Sequence, residues 1–148
     1  MKKIVLLAAL LSSSILGMAQ SGDISSASVS AKQPALKAML AGKSGGNLSV
    51  STARVQIAPA AVVADGDNSS NTHYVIHGFT LTISRKDKVV FGGKTKNPNG
   101  SRFMDNAEIY NAMKQLHAGD KLVLSGMTCS GADHKEYELA PVTFTLTN

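Results

Sequence analysis

The chain has 148 residues, with 15 Lys and Arg against 10 Asp and Glu, one cysteine and no tryptophan. So small a basic excess, with Lys2 and Lys3 both in the first few residues, does not argue for nucleic acid as a partner. A lone cysteine excludes an internal disulfide framework, so apolar burial must hold the fold.

The first residues carry Lys2 and Lys3, an apolar run from Ile4 to Leu11, and small residues at Gly17 and Ala19. That order is expected of a cleaved secretory signal over residues 1–19, cut between Ala19 and Gln20, which directs the protein to the periplasm or out of the cell. Ser12 to Ser14 interrupt the run before it reaches the roughly 20 residues a membrane span requires, so no transmembrane segment is expected after cleavage. Cys129 lies far from the cut, which leaves no cysteine to carry a lipid at the new N-terminus. Residues 20–33, rich in serine and without an apolar period, read as a flexible leader. Residues 34–148 are the right length for one domain with its own core.

Along that domain, "PALKAMLAGKSGG" is expected to hold one short helical turn, stopped at Gly45-Gly46. "NLSVSTARVQI" reads as a strand or bulged strand through Leu48, Val50, Val55 and Ile57. "APAAVVADGDNSSN" ends in a turn cluster. Thr72 to Ser84 is the clearest strand, with Val75, Phe79, Leu81 and Ile83 on one face beside His73 and His77, and Thr80, Thr82 and Ser84 on the other. Arg85-Lys86-Asp87 is a hairpin turn, "KVVF" the returning strand, and Gly92 to Gly100 a polar loop. An amphipathic helix over about 106–117 follows. Asp105 is its expected N-cap with Glu108 three residues on, Ile109, Ala112, Met113 and Leu116 form its stripe, and Gly119 is its end. "KLVLSGMTC" and "PVTFTLT" are strands separated by a turn at "SGADHK", the last turning Val142, Phe144 and Leu146 inward. The expected fold is mainly β: an antiparallel sheet or sandwich of six to eight short strands with one α-helix in a crossover.

Several motifs invite chemistry and mostly fail on spacing. "GKSGG" matches the nucleophile elbow of hydrolases, but that chemistry needs a strand before Ser44 and a helix after it, the reverse of the order here. Two phosphate-loop lookalikes have Lys37 and Lys88 where the first glycine is due. The loop starting at Asp65 resembles a calcium loop but has Ser70 at the glycine position and Ile76 at the position of the bidentate acid. His73 and His77 would share a zinc on a helix; on a strand they lie about 13 Å apart, too far for a common ion. Either histidine near Asp65 or Asp67 is the one general-base arrangement conceivable. Cys129 ends an apolar strand and is expected to be buried and inert. No catalytic residue, cofactor or metal is therefore expected.

The segment from Arg85 to Arg102 stands apart. Arg85, Lys86, Lys88, Lys94, Lys96 and Arg102 face Asp87 alone, which makes them candidate partner contacts for an acidic protein or a polyanionic surface. The same lysines would also keep an edge strand from pairing with other chains.

The order of "SGGNLSVSTARVQIAPAAVVAD", "HYVIHGFTLTI", "DNAEIYNAMKQLHAGDKLVLSGM" and "APVTFTL" resembles the C-terminal domain of the GldM proteins, periplasmic shaft subunits of gliding motility and type IX secretion. The likeness covers roughly residues 34–148. It rests on the Gly45-Gly46 entry, the Val75-x-x-x-Phe79 strand, and the helix running into Leu116-His117-Ala118-Gly119-Asp120. It implies an immunoglobulin-like, non-catalytic module that contacts envelope proteins and self-associates as a homodimer. Full-length members begin with a transmembrane helix and further periplasmic domains, whereas here a signal and leader come first, so only the binding-module character carries over. An envelope glycan-binding or enzyme-inhibitor sandwich is the alternative. Lack of tryptophan disfavours glycans, leaving Tyr74, Tyr110 and Tyr137 as flat platforms.

Overall fold

The computed structural model describes residues 34–64 and 73–148. The segments expected to be the signal and the leader, and the expected turn cluster with Asp65 and Asp67, lie outside the described residues, as does the calcium-loop reading that rests on the latter. The elements are β1 (Leu36–Met39), β2 (Gly46–Ser49), α1 (Val50–Arg54), β3 (Ala60–Val63), β4 (Val75–Arg85), β5 (Lys88–Lys96), α2 (Ala107–Lys114), β6 (Lys121–Ser130), β7 (Glu136–Leu139) and β8 (Val142–Thr147). β1 and β3 form a two-stranded sheet, and the larger sheet runs β2-β8-β6-β4-β5, with β7 sharing an edge of β6 with β8. The fold is mainly β and sandwich-like, with α2 as its principal helix.

Strand direction explains why a helix is needed. β4 lies between β5 and β6 and is antiparallel to both, so β5 and β6 run the same way. Parallel strands cannot be joined by a tight turn; the chain must cross the sheet face, and a helix satisfies its backbone hydrogen bonds on the way. α2 makes that crossing with Ile109 and Met113 buried, and Leu116 follows them into the core just past the helix end. Gly93 opposite makes room, because a Cβ there would sit 2.9 Å from Ile109 and 2.8 Å from the Phe91 ring. One pair, β2 with β8, is parallel, an exception to the expected antiparallel order.

The hairpin turn forms as expected. Lys86 and Asp87 both have positive φ (48° and 60°), the geometry that matches strand twist in a two-residue turn. The other punctuation differs in several places. "LKAM" is strand β1 rather than a helical turn, and it turns Ala38 inward. The expected bulged strand after Leu48 becomes α1, because the Ser49 hydroxyl accepts the Thr52 N–H (3.2 Å) and caps a helix. Val55 and Ile57, expected along that strand, are exposed instead. β5 runs on through Lys96, so the expected Gly92 to Gly100 loop is half strand. α2 is capped by Asn106, whose side chain accepts from the N–H groups of Glu108 and Ile109; Asp105 instead ends a 3₁₀ turn (Phe103–Asp105).

Gly119 does not close α2, which is already capped at Gln115. Its positive φ (86°) serves a turn that leads into β6, where its N–H donates to Leu146 O (2.7 Å) and the Leu146 N–H donates to Asp120 O (2.8 Å).

β4 shows why simple alternation misplaced its first half. Register shifts lie between Ile76 and Gly78 and again between Gly78 and Thr80. Ile76, Phe79, Leu81 and Ile83 consequently reach the core, while Val75, expected inward, is 40% exposed. A bulge moves every side chain before it to the opposite face. Downstream, where the ladder is regular, Val142, Phe144 and Leu146 of β8 are all buried as expected. So is Cys129, whose thiol is pushed up by burial.

Candidate functional site

The six basic candidates do not form one patch. Arg85, at the end of β4, is drawn inward to Asp120, with Nε to Oδ1 at 2.7 Å and Nη2 to Oδ2 at 2.9 Å. The Asp120 carboxylate is buried and also accepts the His117 backbone N–H at 2.8 Å. The Arg85 guanidinium holds this carboxyl below the usual range against the opposing effect of burial, and the His117 N–H helps; the bond to Asp120 in turn raises Arg85. Arg85 Nη2 further meets His117 Nδ1 at 2.6 Å. The hairpin, the loop after α2 and the start of β6 are thereby tied at one point.

Lys86 and Lys88 are exposed at the hairpin tip, where Asp87 pairs with Lys121 Nζ at 3.0 Å. Arg102 is exposed before the 3₁₀ turn. Lys94 and Lys96 lie on the far face of β5 from α2, since Gly93 is the residue under Ile109 and side chains alternate along a strand. There they flank a shallow saddle of about 460 Å³ with Thr80, Thr128 and Glu136. Gly126, exposed among its lining residues, leaves a short stretch of β6 backbone open at its floor, while Gly78 is buried against Thr95, Lys96 and Thr128.

A second concavity, of about 300 Å³, lies between α2 and the β4–β5 hairpin. Ile83, Phe91, Ala112 and Leu116 line it, Val90 forms an exposed lip, and Arg85 and His117 stand at one end. Val90 is the unpaired residue of a bulge, because Ile83 pairs with Phe91 and Ser84 with Val89. The charged anchor of this groove, Arg85 with Asp120, is invisible in spacing; an acidic residue just ahead of the apolar "KLVL" run is the one hint.

The histidines separate. His73 is exposed, and His77 Nε2 meets Ser130 Oγ at 2.6 Å, tying β4 to β6 where Ile76 and Gly78 change register. His77 Nδ1 is buried without a hydrogen-bond partner among the described residues. No group of three His, Cys, Asp or Glu converges among the described residues. Ser44 of "GKSGG" is exposed in the turn between β1 and β2.

Of the tyrosines, Tyr74 and Tyr137 pack edge-on at 5.9 Å, and Tyr110 lies under Lys114 Nζ at 5.1 Å. The Tyr137 hydroxyl donates to Asp133, which pushes the phenol up to about 12. A raised phenol adds stability that is complete below its unfolded value of 10.0 and lost as pH climbs toward 12. Tyr137→Phe should flatten the loss of stability over that alkaline window, followed by urea unfolding; a curve as steep as wild type would contradict it.

No helix among the described residues is long and apolar enough to cross a membrane. No family model and no curated protein matches the chain.

Proposed function

We propose that this chain is an exported, non-catalytic protein–protein interaction or assembly module of the cell envelope, and that it meets acidic partner surfaces through the outer face of β4, β5 and β6. The observation that carries the reading is the saddle flanked by Lys94 and Lys96, an open concavity of the sheet face where two exposed cations outnumber the one carboxylate, Glu136. Rim charges of this kind steer encounter and select partners by sign, and need no converging acid, base or nucleophile. The resemblance to GldM C-terminal domains supports the same reading and suggests partners in gliding-motility or type IX secretion machinery. The signal-like N-terminal residues support periplasmic or secreted placement.

The test is a crosslinking pull-down from native periplasm with the full chain and with a Lys94→Glu, Lys96→Glu double variant. Capture of acidic envelope proteins should fall by about ten-fold in the variant and more steeply at low salt. Undiminished capture would remove the proposal. Retention of acidic polysaccharide in place of protein would transfer the face to glycan binding.

A further inference from the structure

The groove between α2 and the β4–β5 hairpin has features that the outer face does not share. Its walls are apolar (Ile83, Phe91, Ala112 and Leu116), yet one end holds the Arg85, Asp120 and His117 cluster. Arg85 uses Nε and Nη2 on Asp120 and His117, so the two Nη1 N–H groups have no partner among the described residues. A histidine nitrogen that accepts from a guanidinium carries no proton, so the His117 ring proton sits on Nε2, on a side chain 60% exposed. The Arg85 and His117 end of the groove therefore offers three N–H donors, while both oxygens of the adjacent Asp120 carboxylate already accept bonds.

We propose that this groove is a second docking site, for an extended peptide segment of a partner protein that seats one aliphatic side chain against Phe91 and Leu116 and places a neighbouring carboxylate on Arg85 and His117. Charge complementarity selects the occupant. The donors at the mouth suit a carboxylate, and Lys86 and Lys88 on the adjoining turn add positive potential. Size is compatible, since about 300 Å³ accommodates one anchoring side chain and lies at the lower end of the range for small-molecule sites. The bulge at Val90 leaves an apolar lip, 52% exposed, over which the segment would lie. Glu108 at the rim disfavours acid there and sets the orientation.

Because Lys94 and Lys96 are on the opposite face of β5, the site stands independently of the outer-face reading. The test is a titration of the isotope-labelled full chain, followed by amide chemical shifts. The probes are acetyl-Ser-Leu-Asp-Ser-amide, its Leu-Asn and Ala-Asp counterparts, and octanoate. Shifts should centre on Ile83, Phe91, Ala112 and Leu116, and either peptide change should weaken binding by about ten-fold. His117→Ala and Val90→Glu, both at exposed positions, should weaken it similarly, while Lys94→Glu should not. No shifts at millimolar peptide, or an equal response to the Leu-Asn peptide, would overturn the proposal. Octanoate binding as well as the peptide would overturn it in favour of a small amphipathic acid.

Discussion

Asp120→Ala is expected to lower the unfolding free energy by about 2–3 kcal/mol, the range for hydrogen bonds to a charged group that are lost with one partner left in place. The carboxylate accepts two bonds from Arg85 and one from the His117 backbone while fully buried, and removing it strands all three donors. The half-exposed Arg85 can turn to water, which keeps the cost below that of a fully buried pair. Acid dependence separates this from a packing defect. A carboxyl held low in the folded state contributes stability that is fully present above its unfolded value of 3.8 and is lost as pH falls through the lower folded value. Wild type should therefore converge on Asp120→Asn below that window and diverge from it above. Urea unfolding from pH 2 to pH 7 reads both, and parallel curves across that range would rule out the ion pair as the source.

Phe144→Ala should cost more, about 3–5 kcal/mol, as expected for truncating a fully buried aromatic in a sheet that cannot collapse around the void. Phe144 sits in the middle of β8, paired with Leu122 on β6 and with Gly46 on the parallel strand β2, and it has no exposed surface. The melting temperature should fall by roughly 10–20 °C, whereas Thr145→Ala on the outer face should change it little. A loss under about 1 kcal/mol would mean that this part of the core repacks freely.

Much of the architecture was legible because periodicity records local burial. Leu81 and Ile83 of β4, Leu122 and Leu124 of β6, and the three inward residues of β8 all follow two-residue alternation where the ladder is unbroken. Ile109 and Met113 are buried at the spacing of a helix. The misplacements cluster where one nonlocal event overrides that pattern. Val75 is turned out by the bulge in β4 between Ile76 and Gly78, whereas β7 went unseen although "EYEL" alternates cleanly, because four residues beside a turn carry too short a pattern to stand out. α1 was missed because a single Ser49 cap outweighs the alternation around it.

The candidate site was legible as charge but not as geometry. Composition along the chain marked the segment from Arg85 to Arg102 as basic, yet could not tell which members remain exposed. Arg85 is separated from Asp120 by 35 positions, and no local rule relates them. His77, which strand spacing already kept from sharing an ion with His73, is likewise tied to a distant partner, Ser130, 53 residues away.

By itself, then, the sequence determined the mainly-β class, the crossover helix, the presence of a hairpin turn after Ser84 and the burial of Cys129. These depend on backbone propensity and on side-chain transfer from water, which act within a few residues. Tertiary structure alone decided which strands are neighbours, where β4 changes face, and that Lys94 and Lys96 flank one side of β5 while Arg85 and His117 close a groove on the other. Those outcomes depend on contacts between residues distant in the chain, whose energies appear only once the sheet has brought them together.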